Sequence, residues 1–367
     1  MKKLTRRPVR FKGITVGLDV HKSFIEYVIL DRRGDEECGG RIESSREGAS
    51  ELLGIVRRRK AQYVLEAGGS SLWVFDLLSD HAGREQVHVA QPHRIRPIAN
   101  SLEKNDANDA WWLAYLQFEG RLPEAWMPES EIRHLRIATR EHRSAVDRRS
   151  DLIRRFKSHL TQEGRKINGK NFHSKDARRQ AADLARTLPG TRGLALASLL
   201  RRIECLDQEI DVWRDEIARR CESFPEVKVM QDEIPGVGPQ TAAVVFAELG
   251  APSRYRSAKA FACATGLVPG LRESGGRKMR TGMSRAGSRH ARWALTRAVV
   301  ACARCKRGPG VSVTRWVNRR LRHKTKKPVY VAAGRKLAEG IWRLFALGEE
   351  FDLVRAFPGG KVSSKVA

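Results

Sequence analysis

No run of about 18 apolar residues and no lipidation signal occurs in this 367-residue chain, so its charge cannot be explained by a membrane span or anchor. The first 13 residues carry Lys2, Lys3, Arg6, Arg7, Arg10 and Lys12 without an acid. No apolar core of about seven residues follows, which excludes a secretory signal peptide. They read as a basic tail that brushes phosphates or stays solvated. Cysteine is sparse and scattered: only Cys302 and Cys305 form a CxxC, with no second pair to complete a tetrahedral zinc site. Core thiols of a helix, reduced in the cytoplasm, are the expectation. Acids are scarce too, with 42 Asp+Glu against 70 Lys+Arg, a net charge of +28. Solubility needs far less, so the expected partner is a polyanion, and without a membrane signal that means nucleic acid.

What is present is enough for several cores, since an apolar fraction of 41% suits globular domains. Strands are predicted over 14–20, 24–30 and 37–42, the last after an Arg33-Gly34-Asp35 turn. A helical pattern (Ala49, Leu52, Leu53, Val56) leads to a strand over 62–66, a helix over 72–78, a strand over 87–90 and helical sequence after Pro97. A meander followed by alternating helices and strands implies an α/β domain with a mixed sheet over 14–125. From 126 to 226 the pattern is helical. Leu196, Leu199, Ile203, Leu206, Ile210, Trp213 and Ile217 form a heptad seam, which predicts intermolecular coiled-coil pairing or an internal hairpin completed by Leu152, Phe156 and Leu160. Of the two, intermolecular pairing is the reading preferred here. A polar, glycine-containing stretch over 164–176 breaks this region into two arms. A mostly helical domain follows over 227–358, then a polar tail over 359–367.

Four acids stand out by position. Asp19 lies inside an otherwise apolar strand, where burial without a cation or donor is costly. Glu66 ends a later strand, and Asp106 and Asp109 stand three apart on one helix face. Singly, each has a duller role: Asp106 as an N-cap, Glu66 as a surface residue, Asp109 as a partner of Lys104. Together they suit a hard oxygen-ligand site for Mg²⁺ and in-line phosphoryl transfer.

Ile234-Pro235-Gly236-Val237-Gly238 between two helical stretches has the form of a helix-hairpin-helix, whose backbone N–H groups grip a phosphate. Further on, Ser274-Gly275-Gly276 reads as a loop among Arg272, Arg277, Lys278, Arg280, Arg285 and Arg289, with Ser284 and Ser288 nearby. Such a serine can be a nucleophile supported by cations, Ser274 before the other two, or the loop can simply bind phosphate. Seven cations from Arg315 to Lys327, with Arg319, Arg322 and Lys326 among them, are expected along a nucleic-acid backbone.

In order along the chain, Gly17-Leu18-Asp19-Val20-His21-Lys22, Leu65-Glu66-Ala67, Lys104-Asn105-Asp106-Ala107-Asn108-Asp109-Ala110, Ile234-Pro235-Gly236-Val237-Gly238, Thr265-Gly266-Leu267-Val268-Pro269, Ser274-Gly275-Gly276 and Ala333-Gly334-Arg335-Lys336-Leu337-Ala338 resemble one family. It comprises insertion-sequence transposases that join a Holliday-junction-resolvase-like DEDD domain to a catalytic-serine domain and use a bridge RNA. The resemblance implies an RNase H-like first domain, a metal site at Asp19, Glu66, Asp106 and Asp109, a covalent nucleophile at Ser274, and a coiled coil supporting a dimer or tetramer. It also implies that the RNA selects donor and target DNA by base pairing while the protein holds backbones. Because one centre would need both metals and a serine, domains of different subunits would have to meet. Where the family usually has Gly-Asn, this chain has Gly287-Ser288. The rival readings are a metal-dependent junction nuclease with a structural Ser274, and a non-catalytic DNA- or RNA-binding protein.

Overall fold

The structure, a computed structural model, describes residues 11–57, 59–95, 106–167, 172–274, 277–283, 287–308 and 310–358; of residues 93, 106, 107, 269, 271–274, 277–283 and 354 it describes the backbone. The expectations placed on the tail through Arg10, on the sequence just after Pro97, on Lys104, on Ser284 and Arg285, and on the polar tail from Gly359 lie outside those residues. The chain divides into two compact units, Met1–Met127 and Pro128–Ala367.

The first unit opens with an antiparallel meander of β1 (Ile14–Val20), β2 (Phe24–Leu30) and β3 (Glu36–Glu43). Its second turn is fixed by Asp31, whose carboxylate accepts the backbone N–H groups of Arg33, Gly34 and Asp35 at 2.7, 2.9 and 3.0 Å. Then come α1 (Arg46–Val56), β4 (Ala61–Glu66), α2 (Ser71–Ala82), β5 (Val87–Ala90), α3 (Pro92–Ile95) and α4 (Asp106–Phe118). The sheet order is β3-β2-β1-β4-β5, with β4 parallel to both β1 and β5. Alternation along the strands sends two apolar sets to opposite faces. Val16, Leu18, Ile25, Ile29, Tyr63 and Leu65 bury against Leu52, Val56, Val74, Phe75 and Leu78 of α1 and α2. Val28, Leu30 and Val64 bury against Ala110, Leu113, Ala114 and Leu116 of α4.

The second unit begins with α5 (Ser130–Gln162), α6 (Lys175–Thr187) and α7 (Gly190–Cys221). Ion pairs Glu131–Arg220 (3.0 Å), Arg149–Asp207 (2.7 Å) and Glu163–Arg192 (3.1 Å) show α5 and α7 running antiparallel. Here the seam expectation is corrected. Leu196, Ile203, Ile210 and Ile217 are buried within the single chain at 0, 0, 1 and 1% exposure, and Leu152, Phe156 and Leu160 face the upper part of the stripe. A heptad pattern reports that one stripe is buried; it does not say which chain buries it, and a 33-residue helix of the same chain does. The helical arms number three rather than two. Ala177, Ala181 and Ala185, spaced by four, bury a small-residue face of α6, and Pro189 separates it from α7.

The remainder comprises α8 (Pro225–Glu233), α9 (Pro239–Leu249), α10 (Ala258–Ala264), β6 (Pro269–Ser274), β7 (Arg277–Met283), α11 (Arg289–Cys302), α12 (Val311–Leu321), α13 (Lys326–Leu347) and α14 (Leu353–Ala356). The serine segment is therefore no open loop. Antiparallel pairing from Pro269↔Met283 to Ser274↔Arg277 makes its described residues a two-stranded hairpin.

Candidate acidic site and serine hairpin

Strand register and one close helix contact bring the backbones at Asp19, Glu66 and Asp109 to one edge of the sheet. In the parallel pair of β1 and β4, Leu18 stands opposite Leu65, so the next residues, Asp19 and Glu66, end adjacent strands. Alternation puts both on the face opposite Leu18 and Leu65, the face that α4 covers. The helix lies unusually close there. A Cβ on Gly17 would meet Ala110 O at 2.0 Å and Ala114 N at 2.8 Å, so only glycine lets α4 rest on β1. At its far end Phe118 touches Gly34, beyond the start of β1. Hence α4 runs antiparallel to β1, and its first turn, with Asp106 as its first residue and Asp109 half-buried, points to the edge where Asp19 and Glu66 end. Of Asp106 the backbone position is what the structure places.

Around this edge the sequence reading missed two residues. His21 Nε2 lies 2.9 Å from Asp19 Oδ2. Glu26 pairs directly with Asp19 across β1 and β2, and Arg41 on β3 donates to it through Nε at 2.8 Å. Only cross-strand register exposes this neighbour; six residues of sequence lie between it and Asp19 without any periodic signal. Among the described residues no three His, Cys, Asp or Glu side chains already stand at coordinating distances. The donor set at the edge is nonetheless carboxylate oxygen, which fits a hard divalent cation with an open coordination sphere.

Ser274 belongs to the other unit, as the last described residue of β6, paired through its backbone with Arg277. The base of its hairpin is firmly held. Gly287, at φ +87°, is pressed against Cys263 O, Ala264 O and Gly266 N, each within 2.7 Å of where a Cβ would be. Ser288 N donates to Ala264 O at 2.8 Å. The Ser288 hydroxyl caps α11, accepting from His290 N and Ala291 N at 3.2 Å, and donates to Glu248 at 2.9 Å. That carboxylate, 5% exposed, also receives Arg140 at 2.8 and 3.1 Å. Burial alone would raise the Glu248 carboxyl, but the Arg140 hydrogen bond and charge, the Ser288 hydroxyl and Arg136 outweigh it and hold it below the usual carboxylate range. Residue 288 is thus a helix cap, a position that serine and asparagine fill about equally well.

The Ile234–Gly238 turn does join two helices, α8 and α9, with Pro239 at the first turn of α9. Its glycines differ. Gly236, at φ +76°, is demanded by packing, because a Cβ there would meet Ala298 O and Cys302 Sγ at 2.5 Å. Cys302 also donates its thiol to Pro235 O at 3.0 Å, and burial pushes that thiol up to about 12. Gly238, the N-cap of α9, faces open space. Among the expected cationic contacts, Arg289 is exposed at the start of α11, and Arg322 and Lys326 are exposed at the corner between α12 and α13. Arg319 is exposed on α12 and donates to Pro358 O at 2.8 Å. Arg272, Arg277, Lys278 and Arg280 lie on the hairpin strands. No acid occurs between Glu273 and Glu339.

A DEDD-type transposase profile of the IS110 group matches residues 16–164, and a profile described as transposase, IS116/IS110/IS902 family, matches residues 231–311. The first match runs from β1 through the whole acidic edge; the second contains the α8–α9 turn and the serine hairpin. Both matched regions are thus similar to IS110/IS116-type transposases, and the chain is a DNA transposase. Similar proteins include a "Probable family 20 transposase" of Pseudomonas aeruginosa, 23% identical over 90% of this chain and 96% of its own length. The transposase for insertion sequence element IS1111A of Coxiella burnetii is 22% identical over 92% of this chain and 90% of its own. That for IS1328 of Yersinia enterocolitica is 32% identical over 32% of this chain and 35% of its own. A transposase cleaves and recombines DNA for a mobile element, and the first matched region is of a DEDD type that suggests divalent-metal use. Among the described residues, no helix of the transposase is long and apolar enough to cross a membrane.

Proposed function

We propose that this transposase carries out RNA-guided DNA strand exchange, with Asp19, Glu66, Asp106 and Asp109 as ligands for Mg²⁺ and Ser274 as a covalent nucleophile. The observation that carries the reading is the meeting of the ends of β1 and β4 with the first turn of α4 at one sheet edge. The order β3-β2-β1-β4-β5, three antiparallel strands then two parallel ones, supports an RNase H-like reading of that domain.

Bound at the carboxylates, the cations would neutralise charge on the phosphodiester and orient the attacking group. The chain's own residues do the rest. Ser274 Oγ loses its proton and forms a bond to phosphorus; the bond from phosphorus to the 3′ oxygen breaks, and that oxygen leaves as a 3′ hydroxyl. The 5′ phosphate stays on the serine, conserving the bond energy until a 3′ hydroxyl of another strand attacks and restores the serine. Cations at Arg272, Arg277, Lys278, Arg280, Arg285 and Arg289 support the charge that develops on phosphorus. Gly236 and Gly238 of the α8–α9 turn, with Arg319, Arg322 and Lys326, hold sugar-phosphate backbone without reading sequence. Selection of donor and target DNA falls to a bridge RNA, for which the surplus of +28 provides the counter-charge. The working form is a homo-oligomer, a dimer or tetramer.

Two variants test the reading. Asp19→Asn should retain DNA binding and lose cleavage. Ser274→Ala should lose both the protein–DNA adduct and recombination. If Ser274→Ala recombines donor and target at the normal rate, the acids cut by water and the serine is structural.

A further inference from the structure

Arg41 stands in the same transverse row as the acids. Across β3, β2, β1 and β4 the register aligns Arg41 with Glu26, Glu26 with Asp19 and, one step past the Leu18–Leu65 pair, Asp19 with Glu66. Residues opposite one another share a sheet face, so this row crosses four strands on the side that α4 covers. Two of the contacts that hold the Arg41 side chain are on β2. Its Nε donates to Glu26 Oε2 at 2.8 Å, and its guanidinium lies 4.0 Å from the centroid of the Phe24 ring. The same ring meets His21 at 4.6 Å, and His21 is bonded to Asp19. A continuous set of contacts thus runs from Arg41 through Phe24 and His21 to Asp19.

Arg41 is nevertheless 57% exposed, whereas Glu26 is 13% exposed. Balancing a largely buried carboxylate gives Arg41 a local role, yet more than half of its own side-chain surface still faces solvent beside the acids. A guanidinium fixed by a carboxylate and an aromatic ring has already lost most of its rotamer freedom, and it presents a planar fork suited to phosphate oxygens. Strands lie about 4.8 Å apart, so the bond to Glu26 brings the guanidinium about one spacing from Asp19 and about two from Glu66. That offset suits a phosphate next to the one between the carboxylates. We propose that Arg41, held on Phe24 and Glu26, binds the DNA phosphate adjacent to the one at the acidic centre. The inference rests on the reading of the acidic row as the cutting centre.

The test uses the full chain and a DNA duplex spanning the element's end, with affinity followed over a salt series. Arg41→Ala should bind about tenfold more weakly, and the slope of log affinity against log salt should fall by about one. Arg41→Lys should keep the slope while binding more weakly than wild type, since a lysine cannot stack as a planar fork. Placing one uncharged methylphosphonate at the adjacent phosphate should weaken wild type and leave Arg41→Ala unaffected. An affinity and slope unchanged in Arg41→Ala overturn the proposal. So does a loss confined to the element's flanking noncoding RNA, which would assign Arg41 to RNA. Should Arg41→Ala fail to fold, the methylphosphonate series on wild type and Arg41→Lys decides: both must lose affinity at the same phosphate. Asp19→Asn separates the two layers, because cleavage that survives it removes the acidic reading itself, whereas cleavage lost there with Arg41→Ala silent removes Arg41 alone.

Discussion

Gly17 and Ser288 show how single residues shape the acidic edge and the surroundings of the serine hairpin. The space above Gly17 is filled by the α4 backbone at 2.0 Å, so Gly17→Ala must lift the helix that carries Asp106 and Asp109. Overpacking of this kind costs about 1–3 kcal/mol, and the loss should appear in urea unfolding together with a loss of cleavage larger than the stability change explains. Ser288 joins the α11 cap to buried Glu248. Ser288→Ala should cost about 1–2 kcal/mol, while Ser288→Asn should stay within about 0.5. The pH dependence has a definite sign. A carboxyl held below its ordinary value of 4.5 stabilises the fold above that pH, and the contribution disappears as pH falls through the folded value. The gap between wild type and Ser288→Ala, measured by urea unfolding, should therefore be fully present near neutrality and narrow below about pH 4.5.

At the scale of elements, α5 and α7 form the longest continuous contact of the second unit, and their apolar stripe is closed within one chain. Replacing Ile203, which is 0% exposed, by lysine should unfold this hairpin rather than separate subunits. The expected outcome is a loss of more than about 3 kcal/mol in thermal or urea unfolding, because an unpaired ammonium would be buried among Leu152, Phe156 and Leu196. A variant that stayed fully folded but changed its mass in solution would return the seam to an intermolecular role. The same element also explains how the serine hairpin is braced: Arg136 of α5 donates to Ala247 O and Glu248 O at the end of α9 at 2.8 and 3.3 Å, beside the Glu248–Ser288 contact.

For the whole molecule the dominant fact is charge. A surplus of +28, with no acid between Glu273 and Glu339, predicts DNA binding governed by counterion release. Affinity for nonspecific duplex should fall by about a thousandfold or more between roughly 50 and 200 mM salt. A weak salt dependence in a filter-binding series would contradict backbone recognition as the main source of affinity.

Sequence by itself determined the strands of the first unit, because the alternation that defines a half-buried strand is local: β1, β2 and β5 begin and end where the pattern does. It also singled out Asp19, Glu66, Asp106 and Asp109, since an acid in an apolar strand or at a helix start is conspicuous without any fold. Tertiary structure alone decided the remainder, in which the partner is distant in the chain. The heptad stripe of α7 could not say that α5 would cover it. That packing also demands a glycine at 236, with Ala298 and Cys302 where a Cβ would stand, is visible only in the fold. The Arg41–Glu26–Asp19 row exists only through strand register, a property of paired strands that neither strand carries alone.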